Sequence, residues 1–219
     1  MDQLLSQSPT GVMFGVPTIE TQDVDFNGSS GVTKKDLVFT LGTRYLKGMF
    51  VVLRSKADIS NPNRLSLSAY PNMNTERYRL FLNGVSYPIQ PVEGASEAIF
   101  ELEKAMNMNA DVDRSNLIPL GHYQSDVSRT GNPTNVTVDY VGSQIIGFNL
   151  DQVLTAPASF LGGLSTLSGG YNIRLELENQ GVRKSEGTAT DTTAAVATGI
   201  FYKVNILQIR QNAVEVSSG

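Results

Sequence analysis

Tyr78-Arg79-Leu80-Phe81-Leu82-Asn83-Gly84-Val85 is the stretch from which the fold is read. Tyr78, Leu80 and Leu82 fall on one side of an extended chain, with Arg77, Arg79 and Phe81 on the other. That two-residue period belongs to a strand and not to a helix. Asn83-Gly84 then interrupts the run, and both residue types accept the positive φ of a type I′ turn. A tight antiparallel hairpin is predicted here.

Working outward, the same texture recurs. Upstream, Leu37, Phe39 and Leu41 alternate with Val38 and Thr40, and Leu65, Leu67 and Ala69 alternate with Ser66 and Ser68. Leu46 to Leu53 is apolar at every second position and between, through Met49, Phe50, Val51 and Val52. A strand of that kind needs cover on both faces, so a second layer must pack there. Downstream, Val136, Val138 and Tyr140 alternate, and Ile145, Ile146 and Phe148 form a short run. Tyr171, Ile173, Leu175 and Leu177 alternate with Asn172, Arg174, Glu176 and Glu178, the pattern of a half-solvated strand. Phe201 to Ile209 is apolar on both faces, and Val214 and Val216 close the chain. Residues 179–195 carry no period and read as a long exposed loop.

One segment breaks the alternation. Ala98, Ile99, Leu102, Ala105 and Met106 recur at helical spacing, so a helix is predicted near residues 96–108. Ser96 is read as its N-cap, with Glu97 at the positive end of the dipole and Glu101 pairing with Lys104. Its narrow stripe should lie against a sheet edge or a connection between strands. Residues 1–35, rich in Ser, Thr, Gln, Gly and Asp, read as an N-terminal arm or irregular lead-in, ordered against a neighbour. Residues 36–219 read as a single domain. The fold class that follows is all-β: an antiparallel, eight-stranded jelly roll or β-sandwich with one inserted helix.

Composition excludes several chemistries. The 219 residues include no cysteine and one histidine, His122. Disulfides, thiolate metal sites and cysteine nucleophiles are therefore absent, and one chain cannot form a multi-histidine metal site. The net charge is −4, from 17 basic and 21 acidic residues. A strongly basic nucleic-acid surface is not the expectation, and within residues 1–35 only Lys34 and Lys35 are basic. No apolar run suits a signal peptide or a membrane-spanning helix, so synthesis in a reducing cytoplasm is expected.

The search for a site singles out no catalytic, cofactor-binding or metal-ligating residue. Nucleophile-elbow, dinucleotide and phosphate-loop motifs are missing, and the glycines from Gly162 to Gly170 precede a strand, not a helix, so the stretch reads as a flexible loop between strands. Asp23-Val24-Asp25-Phe26-Asn27-Gly28 opens like a calcium loop, yet Lys34 stands where the clamping glutamate belongs, so an Asx-rich turn is the simpler reading. Asp111 and Asp113 read as solvated turn residues. His122 lies in a loop-like stretch near Ser125 and Asp126, but sequence adjacency does not make a triad. Asn27 and Asn135 match the glycosylation sequon, and with no signal peptide expected both read as chance matches.

Tyr78 to Val92, including Asn83-Gly84, Tyr87-Pro88 and Gln90-Pro91, followed by the helix from Glu97 to Met106, resembles the jelly-roll coat proteins of tailless icosahedral double-stranded DNA viruses. The closing run Phe201 to Arg210, with Val214-Glu215-Val216, is similar to the last strands of such a domain. The major coat proteins of that group carry two stacked jelly rolls, and this chain has the length of one. The resemblance implies a virion structural protein that is not an enzyme. It would assemble with copies of itself, as a trimer, and with other capsid proteins, in a particle with an internal membrane. The alternative is a receptor- or carbohydrate-binding β-sandwich on a spike or cell surface.

Overall fold

The computed structural model describes residues 12–27, 33–59, 70, 75–106, 118, 120–124, 142–151, 163–167, 172–179, 194–210 and 213–217. Among them are nine strands: β1 (Val12–Asn27), β2 (Thr33–Phe39), β3 (Leu46–Ser55), β4 (Thr75–Leu82), β5 (Val85–Glu93), β6 (Ile146–Asn149), β7 (Ile173–Asn179), β8 (Ala194–Arg210) and β9 (Ala213–Ser217). Three helices accompany them: α1 (Lys56–Ile59), α2 (Gly94–Ala105) and α3 (Leu120–Gln124).

The first eight strands form two sheets, in the orders β1-β8-β3-β6 and β2-β7-β4-β5, and β9 adds to β8. Every ladder is antiparallel. First pairs with eighth, second with seventh, third with sixth and fourth with fifth. That is one long hairpin rolled up so that β3 meets β8 and β4 meets β7, which is the jelly roll. The expected all-β sandwich with one substantial helix is what the chain forms.

Alternation places the core between the sheets. Leu37, Phe39, Met49, Val51, Leu80, Ile173, Leu175 and Phe201 are all but fully buried. Phe39 meets Phe201 edge-on across the sheets at 5.7 Å, and Tyr78 meets Phe148 at 5.6 Å. Such aromatic pairs add about 0.5–1.5 kcal/mol to the burial itself. Gly199 of β8 makes the first contact possible, because a Cβ there would lie 2.7 Å from Phe39 Cε1. The predicted hairpin turn is present, with Asn83 at φ 51° and Gly84 at φ 86°.

Three expectations are corrected. Residues 12–27, read as irregular lead-in, form β1, a sixteen-residue strand in continuous register with β8. Its inward positions include Thr18, Glu20 and Gln22, so the apolar period is broken through the middle of the strand. Gln22 instead ties the two sheets together, accepting from the N–H of Thr40 at 3.1 Å and donating to its carbonyl. The second correction concerns α2, which starts at Gly94 with Glu93 as N-cap, not at Ser96. The Glu97 carboxylate reaches back to the Glu93 N–H at 2.8 Å and satisfies that donor. The third concerns the glycine-rich stretch. Within it, residues 163–167 are docked: Leu46 and Leu164 exchange two backbone bonds of 3.0 and 2.9 Å, and Thr43 and Thr166 bond at 2.7 Å. Of the loop expected at 179–195, Asn179 ends β7 and Ala194 and Ala195 open β8, while residues 180–193, like the strands expected at Leu65–Ala69 and Val136–Tyr140, lie outside the described residues.

α2 packs against β6, the edge of its sheet. Ala98 and Leu102 are buried, and a Cβ on Gly147 would come within 2.9 Å of Leu102 Cδ1. Ile146 and Phe148 face the other sheet, so β6 is covered on both sides, as its apolar sequence requires.

Candidate functional site

The residues singled out for chemistry are dispersed and engaged elsewhere. Asp23 and Asp25 stand on extended β1, not in an ion-wrapping loop. Asp23 Oδ1 accepts from the Thr198 hydroxyl at 2.5 Å and lies 3.8 Å from Arg54 Nη2, while Asp25 pairs with Lys56. Lys34, on β2, is 3.8 Å from Glu176. His122 is on α3, not in a loop, and its backbone carbonyl accepts from the Ser143 N–H at 2.9 Å. Asp111, Asp113, Ser125, Asp126 and Asn135 lie outside the described residues. Among the described residues there is no group of three metal-ligating side chains.

A cavity of about 610 Å³ opens at the end of the sandwich where β4 and α2 begin. Tyr78, Tyr123, Ala95 and Ala98 form its apolar walls, and Glu76, Arg77, Glu93 and Glu178 its charged ones. Burial pushes the Tyr78 and Tyr123 hydroxyls well above the ordinary phenol range, so both stay protonated. The hydrogen bond and charge of Arg77 hold Glu178 below the usual carboxylate value. A hydrolytic general acid needs its carboxyl raised instead. The cavity thus sets two neutral phenols beside the Arg77–Glu178 ion pair.

The surfaces are more informative than the cavity, because the two outer faces differ in kind. Across β2, β7, β4 and β5, cations and anions interlock. Arg79 meets Glu176 at 2.9 Å, Arg77 meets Glu178 at 2.5 Å and Glu93 at 3.5 Å, and Arg174 meets Asp36 at 3.3 Å. Arg79 and Arg174 stack on the Phe81 ring at 4.8 and 4.1 Å. This face satisfies its own charges. On the other sheet, Ile19 and Tyr202 are direct cross-strand neighbours, 69% and 39% exposed, followed inward by Ile200 and Phe50. That end of the face is apolar, and toward its other end it carries Asp23, Thr198 and Arg54.

The sheet edges are blunted. β1 carries Pro17 and an inward-pointing Glu20, paired with Lys203 at 2.7 Å. β5 carries Pro88 and Pro91, and between Tyr78↔Val92 and Leu80↔Tyr87 it advances three residues more than β4. Prolines, bulges and inward charges are the devices that stop strand-to-strand addition. The bulge lifts Ile89 to 89% exposure, next to Val85 and Tyr87. Sequence reading found these residues but not their role, since exposure is set by the extra residues in β5 and not by local pattern.

A sandwich of a five-stranded and a four-stranded sheet with this strand order belongs to the jelly-roll class. Among solved structures, the chain is similar to the PBCV-1 virus capsid over 95% of its own length and 52% of that chain, with a TM-score of 0.53 and 8% identity. It also aligns with a structure of the Sputnik virophage, over 97% of this chain and 40% of that one, at a TM-score of 0.49 and 11% identity. The likeness is one of fold, and it bears out the resemblance carried by Tyr78–Val92 and the closing strands. The chain spans about half the length of the PBCV-1 capsid chain it matches. No family model matches it, and no curated protein does.

Proposed function

We propose that this chain is a structural subunit of a viral coat, one jelly roll that assembles with copies of itself and with other capsid proteins. The observation that carries the reading is the strand order, β1-β8-β3-β6 over β2-β7-β4-β5, aligned along 95% of the chain with a viral capsid fold. Its role is structural and not catalytic. Blunted edges favour association through faces, helix and bulge over continuous β-addition. The particle is that of a double-stranded DNA virus with an internal membrane, its coat made in the host cytoplasm. The capsomer is a trimer, by resemblance to the family. The genome is not gripped by this chain: its net charge is −4 and no basic arm is present in residues 1–35.

Light scattering and electron microscopy of the purified chain test this. Trimers and larger regular assemblies are expected as concentration rises. A strict monomer at high concentration, with coat partners supplied, overturns the reading.

A further inference from the structure

β1 and β8 run on past the sandwich. The second sheet ends in the row Phe39-Ile173-Leu82-Val85, with Phe39 over Gly199 of β8 and Thr40 bonded to Gln22 of β1. β3 leaves β8 at Leu46↔Lys203, with a last bond from the Val204 N–H to the Tyr45 carbonyl. Beyond that level β1 stays paired to β8, from Pro17↔Val204 out to Val12↔Ile209. β9 takes the side of β8 that β3 has left, from Ile206↔Ser217 to Arg210↔Ala213. The three strands make a ribbon about 20 Å long. Directly opposed residues of antiparallel neighbours share a face, so the register sorts the ribbon. One face takes Val12, Ile209 and Val214 in one row and Phe14, Leu207 and Val216 in the next, apolar at every position. The other pairs Gln208 with Glu215 and Ile206 with Ser217. In steps of two along β8, the apolar face continues the one that carries Ala197, Gly199 and Phe201 into the core.

We infer that this face is covered by the same face of a second copy of the chain, two ribbons stacking about a two-fold axis near Leu207, in the middle of the central strand. The inference rests on the coat reading and names one contact that assembly uses. An antiparallel sheet with one apolar and one mixed face is built to be dry on one side and wet on the other. The dry side takes a second layer about 10 Å away, and at this level the chain's own second sheet has ended. Area and charge select the occupant. Three strands by five residues offer a face of about 14 by 17 Å. A second ribbon has the same outline, so an isologous stack leaves no apolar row of either copy unmatched. A peptide laid along it as one strand would cover about a third of its width. The face carries no charge, so the stack opposes no like charges although each copy is at −4. A lipid surface is the poorer match, because interfacial faces are edged with basic and aromatic residues. The chain has no Trp, and the ribbon's one cation, Arg210, falls on the other face. The outline is smaller than the ~800 Å² per partner of a standard interface, so the contact is weak singly and gains strength by repetition in a shell.

Single cysteines test the face, because the chain has none of its own. Leu207→Cys puts a thiol on the stacked face, and Gln208→Cys, one residue on, puts it on the opposite one. In the full chain at assembling concentration, oxidation or a short bis-maleimide should join copies through Leu207→Cys at least about tenfold more than through Gln208→Cys, giving a dimer and nothing longer. Leu207→Asp should weaken association at least about tenfold, and Gln208→Asp should stay within about twofold of the parent. The cysteine pair decides the matter if Leu207→Asp fails to fold. Equal cross-linking at the two positions, or none while light scattering shows assembly, overturns the stack and leaves the coat reading standing. So does a Leu207→Cys thiol closed to maleimide in the monomer, since the chain then covers the face itself. Binding of the full chain to phosphatidylcholine vesicles that Leu207→Asp abolishes also overturns it, in favour of lipid. A strict monomer at every concentration, with the Leu207→Cys thiol open to reagent, removes both readings.

Discussion

Gly199→Ala isolates the contact on which the two sheets close. A Cβ at this position lies 2.7 Å from Phe39 Cε1, 3.0 Å from Phe39 Cδ1 and 3.0 Å from Phe201 Cε2. Neither ring can yield cheaply. Phe39 is 1% exposed and Phe201 fully buried, and each is held by the other edge-on. Overpacking of this kind costs about 1–3 kcal/mol. Opposing it, Ala loses less backbone entropy than Gly on entering a strand, worth about 0.5–1 kcal/mol. The steric term wins, leaving a net destabilisation of about 1–2 kcal/mol, or a fall in Tm of about 2–8 °C for a domain of this size. Urea unfolding of dilute protein measures it. Phe39→Leu alone should cost about 1 kcal/mol, yet in the Gly199→Ala background it should cost less or nothing, since the smaller side chain vacates the space the new methyl needs. A Gly199→Ala variant as stable as the parent, or strictly additive costs in the double variant, would refute the packing argument.

Three further outcomes are expected. Gly84→Ala, at φ 86°, should lower stability by about 1–2 kcal/mol without altering the fold by circular dichroism. Tyr123→Phe deletes the hydroxyl that donates to the Ile145 carbonyl at 3.0 Å and should cost about 1 kcal/mol in thermal melts. Glu178 sits below its ordinary 4.5, so its contribution is complete above that value and is lost as pH falls from 4.5 through the depressed folded value; Arg77→Gln should raise the midpoint of acid unfolding, and an unchanged midpoint would count against the pair.

How much of this the residues announce depends on where the deciding information lies. β4, β7 and α2 each have one wet face and one dry one, so their period is written in their own letters. β1 was not legible as a strand. Thr18, Glu20 and Gln22 occupy its inward positions, and what holds it is sixteen residues of register with β8, nearly two hundred positions away in the chain. The first turn of β8 hides for the opposite reason. Ala195, Ala197 and Gly199 are small because the bulk on that side comes from the facing sheet, with Phe39 filling the space over Gly199. Small residues without bulky neighbours read as a loop until the partner strand is known. Among candidate functional residues, Phe100 and Ile89 were visible as letters, yet their exposure follows from which face of α2 meets β6 and from three extra residues in β5.

The same features bear on how such a subunit associates without aggregating. A sandwich exposes long strand edges, and any exposed edge is a template for indiscriminate pairing. Here the backbone is denied to neighbours along β1 by Pro17 and the inward Glu20–Lys203 pair, and along β5 by Pro88 and Pro91. One outer face neutralises its charges internally, through pairs such as Arg77–Glu178 and Arg79–Glu176, and so gains little from a charged partner. Attraction is left to side chains at a few places, Ile19 with Tyr202 on one sheet, Ile89 in the β5 bulge and Phe100 on α2. Side-chain patches fix geometry as strand addition does not, because a strand can slip by two residues and keep its bonds, while a ring in a socket cannot. A shell needs the same angle at every contact, and that demand is met by closing the edges and confining adhesion to the patches.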